Sequence, residues 1–180
     1  MADQDSTSGG NGSAEQGGDV QVSVLAQYIK DLSVENPSSP QSLQWQVQPQ
    51  LDVQFNINLA QMADDVHEVS LKIEVSARSE NGVHFVVDLT YAGLFGIRGM
   101  PDEAMGPILL VEAPRLIFPF ARQIVAEAVA NTGFPPLMLD PIDFAGAYLQ
   151  QMQAQQQADG GGTPGDTTPA EPTPSESEPQ

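Results

Sequence analysis

Four carboxylates, Asp31, Glu35, Glu74 and Asp88, sit at outward positions of segments whose apolar residues alternate with polar ones. Paired carboxylates run acid–base chemistry when burial or a close partner separates their pKa values. An open sheet face offers neither, so the chemistry these residues suit is attraction of cationic side chains. The two histidines, His67 and His84, have opposite parity, inward and outward, so no histidine metal site is expected. No cysteine is present, which removes thiolate ligands, cysteine nucleophiles and disulfides. No nucleophile elbow, Walker loop or HExxH motif occurs, and His67-Glu68 stands alone. Gly93, Gly96 and Gly99 lack the order and the basic neighbour of a phosphate loop and read as turns and close backbone packing. The expectation is a non-enzyme with no metal or cofactor.

The positions follow from period-two patterns. Val20, Val22, Val24, Ala26, Tyr28, Lys30, Leu32 and Val34 share one parity, with Gln21, Ser23, Gln27, Asp31, Ser33 and Glu35 on the other. That predicts a half-buried strand with both carboxylates on its wet face. Leu51 to Leu59, His67 to Ala77 and Val83 to Tyr91 repeat the pattern with odd residues facing the core. Matching parity across the last two segments predicts a three-residue loop, Glu80-Asn81-Gly82, that pairs Ser79 with Val83 and Ala77 with Phe85. Glu74 then lies opposite Asp88, a like-charge pair costing up to about 1 kcal/mol, with Lys72 one diagonal away.

The connection ENPSSPQSLQWQVQP, from Glu35 to Pro49, is too long for a hairpin, so the first strand is expected to pair with something other than the second. Its Trp45 is the chain's one tryptophan and reads either as a packing anchor or as the apolar wall of a groove. After Phe95 the pattern turns helical. Pro101, Asp102 and Glu103 suit the first turn of a short helix. From Arg115, the residues Ile117, Phe120, Ala121, Ile124, Val125 and Ala128 recur at helical spacing, with Pro119 in the first turn or at a kink and Thr132-Gly133 as the stop. With few charges on its circumference, this helix could meet both its own sheet and a second copy of the chain. Asp143 caps a last helix carrying Phe144, Ala147, Tyr148 and Met152 on one side.

The chain has 180 residues and a formal net charge of −18, which suits one domain and disfavours nucleic acid or anionic membranes as partners. Residues 1–19 and 158–180 are too poor in apolar area to offset chain entropy and are expected to be disordered, around a folded domain at 20–157. All six basic residues and 15 of the 24 acidic ones fall in that domain, so it is itself strongly anionic. The N-terminus has no basic-then-apolar leader pattern and no apolar run reaches the roughly 18 residues of a membrane span, so a cytoplasmic protein without membrane insertion is expected.

Five blocks in order, YIKDLSVENPSSP, QMADDVHEVSLKIEVSA, YAGLFGIRGM, EAPRLIFPFARQIVAEAVANTGFPPLMLDPIDF and YLQQ, resemble SecB, the bacterial protein-export chaperone, over roughly residues 20–153. The resemblance implies an α+β protomer, a four-stranded antiparallel sheet with helices on one face, assembling as a homotetramer that is a dimer of dimers. It implies binding of unfolded export precursors in apolar grooves and their delivery to the motor ATPase SecA, without hydrolytic activity. SecA docking in the family falls here on Asp31, Glu35, Val86 and Asp88, and groove candidates are Leu43, Trp45, Val47, Phe95 and Ile97. The family's crossover often has Trp directly before Gln-Pro; here Val47 precedes Gln48-Pro49 and Trp45 lies two places earlier. A SecB-like chaperone dedicated to one antitoxin shares this fold and is the alternative reading.

Overall fold

The computed structural model describes residues 20–159, with side chains described to residue 154. The expected disordered segment 1–19 and residues 160–180 of the one expected at 158–180 lie outside the described residues, while Ala158 and Asp159, expected in the tail, are the last residues of the C-terminal helix. Four strands, β1 (Gln21–Glu35), β2 (Gln50–Ala63), β3 (Val66–Ser79) and β4 (Gly82–Arg98), form one antiparallel sheet in the order β1-β4-β3-β2. The last three strands form a meander of consecutive hairpins. The long connection, with a single 3-10 turn at Gln41–Gln44, carries β1 past them to the far side of β4. The first strand therefore does avoid the second.

Odd residues of β3 as far as Ala77 and of β4 from Phe85 onward face the helices, as the alternation requires, whereas Val83, expected inward and opposite Ser79, lies opposite Arg78 on the outer face. Val69, Leu71, Ile73 and Val75 meet Val87, Leu89 and Phe95 in a core sealed by Ile117, Ala121, Val125 and Val129 of the long helix. β2 keeps the same parity in register but lies at the edge, where the helices only partly cover it. Leu51, Phe55 and Leu59 remain 48%, 40% and 43% exposed.

Three bulges in β1 and β4, besides one at Met62 near the end of β2, depart from simple alternation. The β3–β4 loop has two residues, Glu80 and Asn81, closed by Ser79 opposite Gly82, rather than three. The Ala77–Phe85 pairing is nonetheless kept, because His84 is squeezed out as a bulge between Val83 and Phe85. His84 consequently leaves the outward parity expected of it and is buried. In β1, bulges at Leu25 and Lys30 flip the faces twice. Val22 and Val24 lie on the helix side opposite Ile97 and Phe95, Gln27 and Ile29 replace them between the bulges, and Leu32 and Val34 restore the first parity. Tyr28, expected inside, stands on the outer face.

Gly93 and Gly96 are strand residues, not turn residues, because β4 runs on to Arg98. A Cβ on Gly93 would lie 2.8 Å from Phe95 Cε2 and 3.0 Å from Ile117 Cγ2, so the missing side chain is what lets the long helix approach the sheet. Gly93→Ala is expected to destabilise the fold by about 1–3 kcal/mol through overpacking, more than the roughly 0.5–1 kcal/mol that alanine gains in chain entropy. Urea unfolding measures it; an unchanged midpoint would contradict the packing account.

Helix α1 (Asp102–Pro107), a π-helical turn at Ile108–Glu112 and α2 (Ala113–Asn131) form one continuous helical run, where two separate helices were expected. The widened turn sits just before Pro114, which has no N–H to complete a regular ladder. Pro119 falls in the interior of α2, and Phe118, not Phe120, is the buried phenylalanine there. The run from Asp102 to Asn131 is long and apolar enough to span a membrane, but its buried residues are those that cover the sheet. Thr132 and Gly133, the latter at φ 92°, end α2 as expected. Asp143 caps α3 (Phe144–Asp159) by accepting the Gly146 N–H at 3.0 Å.

Candidate functional site

On the outer face, side chains line up in rows across the strands. Glu35, Val86, Ser76 and Asp52 form one row; Ser33, Asp88, Glu74 and Gln54 the next; Asp31, Thr90, Lys72 and Asn56 the third. Asp31, Glu35, Val86 and Asp88 thus share one face of the adjacent strands β1 and β4. The Glu74–Asp88 like-charge pair is relieved by Lys72, whose Nζ lies 2.9 Å from Glu74 and 3.1 Å from Asp88. Hydrogen bonds to Glu74 and then to Asp88 raise the Lys72 pKa above its ordinary value. Asp31 and Glu35 are exposed and pair with no cation among the described residues.

Further along the same face lies a cluster that alternation did not foresee. Tyr28 Oη donates to Glu68 Oε2, and Lys30 Nζ donates to Glu68 Oε1 at 2.6 Å. The β1 bulges turn Tyr28 and Lys30 towards Glu68, which is buried on an otherwise wet surface. The sequence signal was Leu25 and Ile29, two large apolar residues at the supposedly polar parity. The Lys30 and Tyr28 hydrogen bonds hold the Glu68 carboxyl below its usual pKa against the opposing effect of burial. The Glu68 carboxylate in turn raises the Tyr28 phenol.

A lowered carboxyl pKa stabilises the fold fully above the unfolded-state value of about 4.3, and that contribution is lost as pH falls through the folded-state value. Glu68→Gln is expected to cost about 2 kcal/mol near neutrality, the range for hydrogen bonds to charged groups. It should also flatten the acid limb of a urea-midpoint-against-pH profile. Parallel acid limbs in parent and variant would contradict this.

The helix side is apolar and concave. Leu43 and Val47 of the crossover are exposed and Trp45 is half-buried. The start of the crossover is tied to the end of α2 through side chains: Ser42 Oγ donates to Asn36 Oδ1 at 2.8 Å, and Asn36 Nδ2 donates to the Thr132 carbonyl at 3.3 Å. Phe95 and Ile97 are 0% and 3% exposed, so they belong to the core and present no surface. Their odd parity on β4, continuing past the glycines, is the reason. The edge of β2 supplies surface in their place. Leu51, Val53 and Phe55 form a cavity of about 410 Å³ with the segment Leu137–Ile142. Phe55 and Ile57 line a second, of about 340 Å³, with Leu110, Ile142, Phe144 and Tyr148. Among the described residues, no group of His, Asp and Glu is arranged to hold a metal ion.

Residues 15–155 match the family model described as preprotein translocase subunit SecB. The protein-export protein SecB of Zymomonas mobilis is 56% identical over 135 residues, covering 75% of this chain and 82% of the relative. That of Sphingopyxis alaskensis is 48% identical over 159 residues, covering 87% and 92%. Among solved structures, a Mycobacterium tuberculosis SecB-like chaperone in complex with a peptide from an antitoxin shares the fold, with a TM-score of 0.56 at 15% identity, covering 67% of this chain and 90% of that one. With its four-stranded antiparallel sheet, its helical layer and its sequence kinship over most of its length, this chain belongs to the SecB family.

Proposed function

We propose that the protein is a holdase: it binds unfolded precursor proteins on its apolar side, keeps them competent for export, and hands them to SecA through its acidic side. The observation that carries this reading is the two-sidedness of one small domain. The helix side leaves Leu51, Phe55 and Leu59 uncovered beside two cavities. The opposite face gathers Asp31, Glu35, Val86 and Asp88. Burying about 400 Å² of client apolar surface gives on the order of 10 kcal/mol gross, much of it offset by association and ordering costs. The remainder suits binding that is general in sequence and reversible.

Leu43, Trp45 and Val47 extend the apolar surface from the crossover. The acidic face suits a basic segment of SecA, with salt-sensitive affinity. In this reading the protein works in the cytoplasm, catalyses no reaction and assembles as a dimer of dimers. The long β1 edge supports assembly, since Val22, Val24, Ile29 and Leu32 are exposed there. The shared name of the relatives, protein-export protein, favours the export reading over a chaperone dedicated to an antitoxin.

The test is refolding of a denatured enzyme in the presence of the protein. A concentration-dependent delay is expected, and unimpeded refolding at stoichiometric excess would end the proposal. Light scattering should give about four times the 19.2 kDa chain mass; a monomer would remove the assembly.

A further inference from the structure

His84 is the residue that the β4 bulge expels from the sheet's alternation, and it is only 2% exposed. Its ring meets Trp45 edge to face, with centroids 4.9 Å apart at 74°, and Phe134 at 5.6 Å. Phe134 in turn packs on Phe85 at 5.4 Å. His84 Nε2 lies 2.8 Å from Ser79 Oγ, which also accepts the Asn81 N–H at 3.3 Å. That leaves the Ser79 hydroxyl one lone pair and its proton, so it can pair with the imidazole in either tautomer. One ring therefore ties together the hairpin tip, the crossover and the segment after α2. The turn itself makes room: Gly82 has φ 135°, and a Cβ there would lie 3.3 Å from Trp45 Cη2.

We propose that His84 is the positioning residue of the client-binding crossover: by seating Trp45 on the hairpin, it holds Leu43 and Val47 in the conformation that extends the apolar groove. This rests on the holdase reading above. The imidazole combines two properties that neither an aliphatic nor a purely apolar aromatic side chain has. Its faces and edges pack between two aromatic rings, and its nitrogen fixes the ring plane through Ser79. A bulge is a recurrent means of re-aiming one side chain while the ladder on either side continues.

Because Trp45 is the chain's one tryptophan, its emission reports the seating directly. The experiment uses the full chain and a reduced, alkylated, permanently unfolded globular protein as the probe. His84→Ala is expected to shift Trp45 emission to longer wavelength and to weaken probe binding about tenfold. His84→Phe, which restores a ring, should return both towards the parent. Ser79→Ala, which leaves the packing intact, should give a smaller change of the same sign, and it serves if the alanine variant at 84 does not fold. A purely structural role would move the urea midpoint without altering emission or probe affinity in the folded protein. Parent-like probe affinity in folded His84→Ala or Ser79→Ala, or unshifted emission in both, would overturn the proposal. If the parent chain itself does not hold the probe, the holdase reading falls first and takes this inference with it.

Discussion

Asp31→Lys combined with Asp88→Lys is expected to weaken SecA association at least about 100-fold while leaving retention of unfolded clients unchanged. Each reversal replaces an attraction for a basic segment by a repulsion, and close charge pairs across interfaces couple by about 1.5 kcal/mol or more. Asp31 is exposed and holds no ion pair among the described residues, so its reversal breaks none there. Asp88 is held by Lys72 at 3.1 Å, but Lys72 keeps Glu74 as a partner. The fold should therefore survive the pair of substitutions. Isothermal calorimetry at two salt concentrations checks it: the parent should lose affinity as salt rises, and the variant should start weak and respond little. An unchanged dissociation constant would remove the acidic face from the delivery step. On the proposed reading the two functions separate because the residues concerned lie on opposite sides of the same sheet.

Phe95→Ala is expected to lower the stability of the fold by about 3–5 kcal/mol, a large share of the roughly 5–15 kcal/mol that a domain possesses. Its ring is fully buried, and Gly93 is bare of a side chain partly to accommodate it. The void left beneath Ile117 could not close without drawing α2 towards the sheet. Urea unfolding measures the loss. The result also separates two roles for this residue: a groove residue would weaken client binding with little change in midpoint, whereas a core residue moves the midpoint first. A midpoint within experimental error of the parent would return Phe95 to the groove.

The places where alternation misleads share one physical cause. A period-two reading fixes a face only while no residue is gained or lost between partners. Leu25, Lys30 and His84 are each one residue too many, and each reverses the facing of its successors until the next correction. Where no bulge intervenes, as from Leu51 to Leu59 and from Val69 to Ala77, residue after residue faces as expected, and the Glu74–Asp88 opposition is found in register. The glycines of β4 mislead because a missing side chain breaks the pattern to the eye but not the strand. The exposure of Leu51, Phe55 and Leu59 has no local signature at all: their alternation is that of a buried face, and only the position of β2 at the sheet's edge, set by the whole topology, leaves it uncovered. The helical run from Asp102 is hidden by Pro107, Pro114 and Pro119, which suggest breaks where a single widened turn suffices.

The paired bulges of β1 have a consequence for the company this protein keeps. Denatured polypeptides seek straight, unpaired backbone to zip onto, and a regular fifteen-residue border would offer them a template for runaway cross-β growth. Two kinks interrupt the docking track into three short stretches that point different ways, so an arbitrary guest finds only a few consecutive hydrogen bonds before the geometry fails. On the holdase reading, a protomer whose border is not yet covered by another copy is thereby kept from seeding the chains it holds.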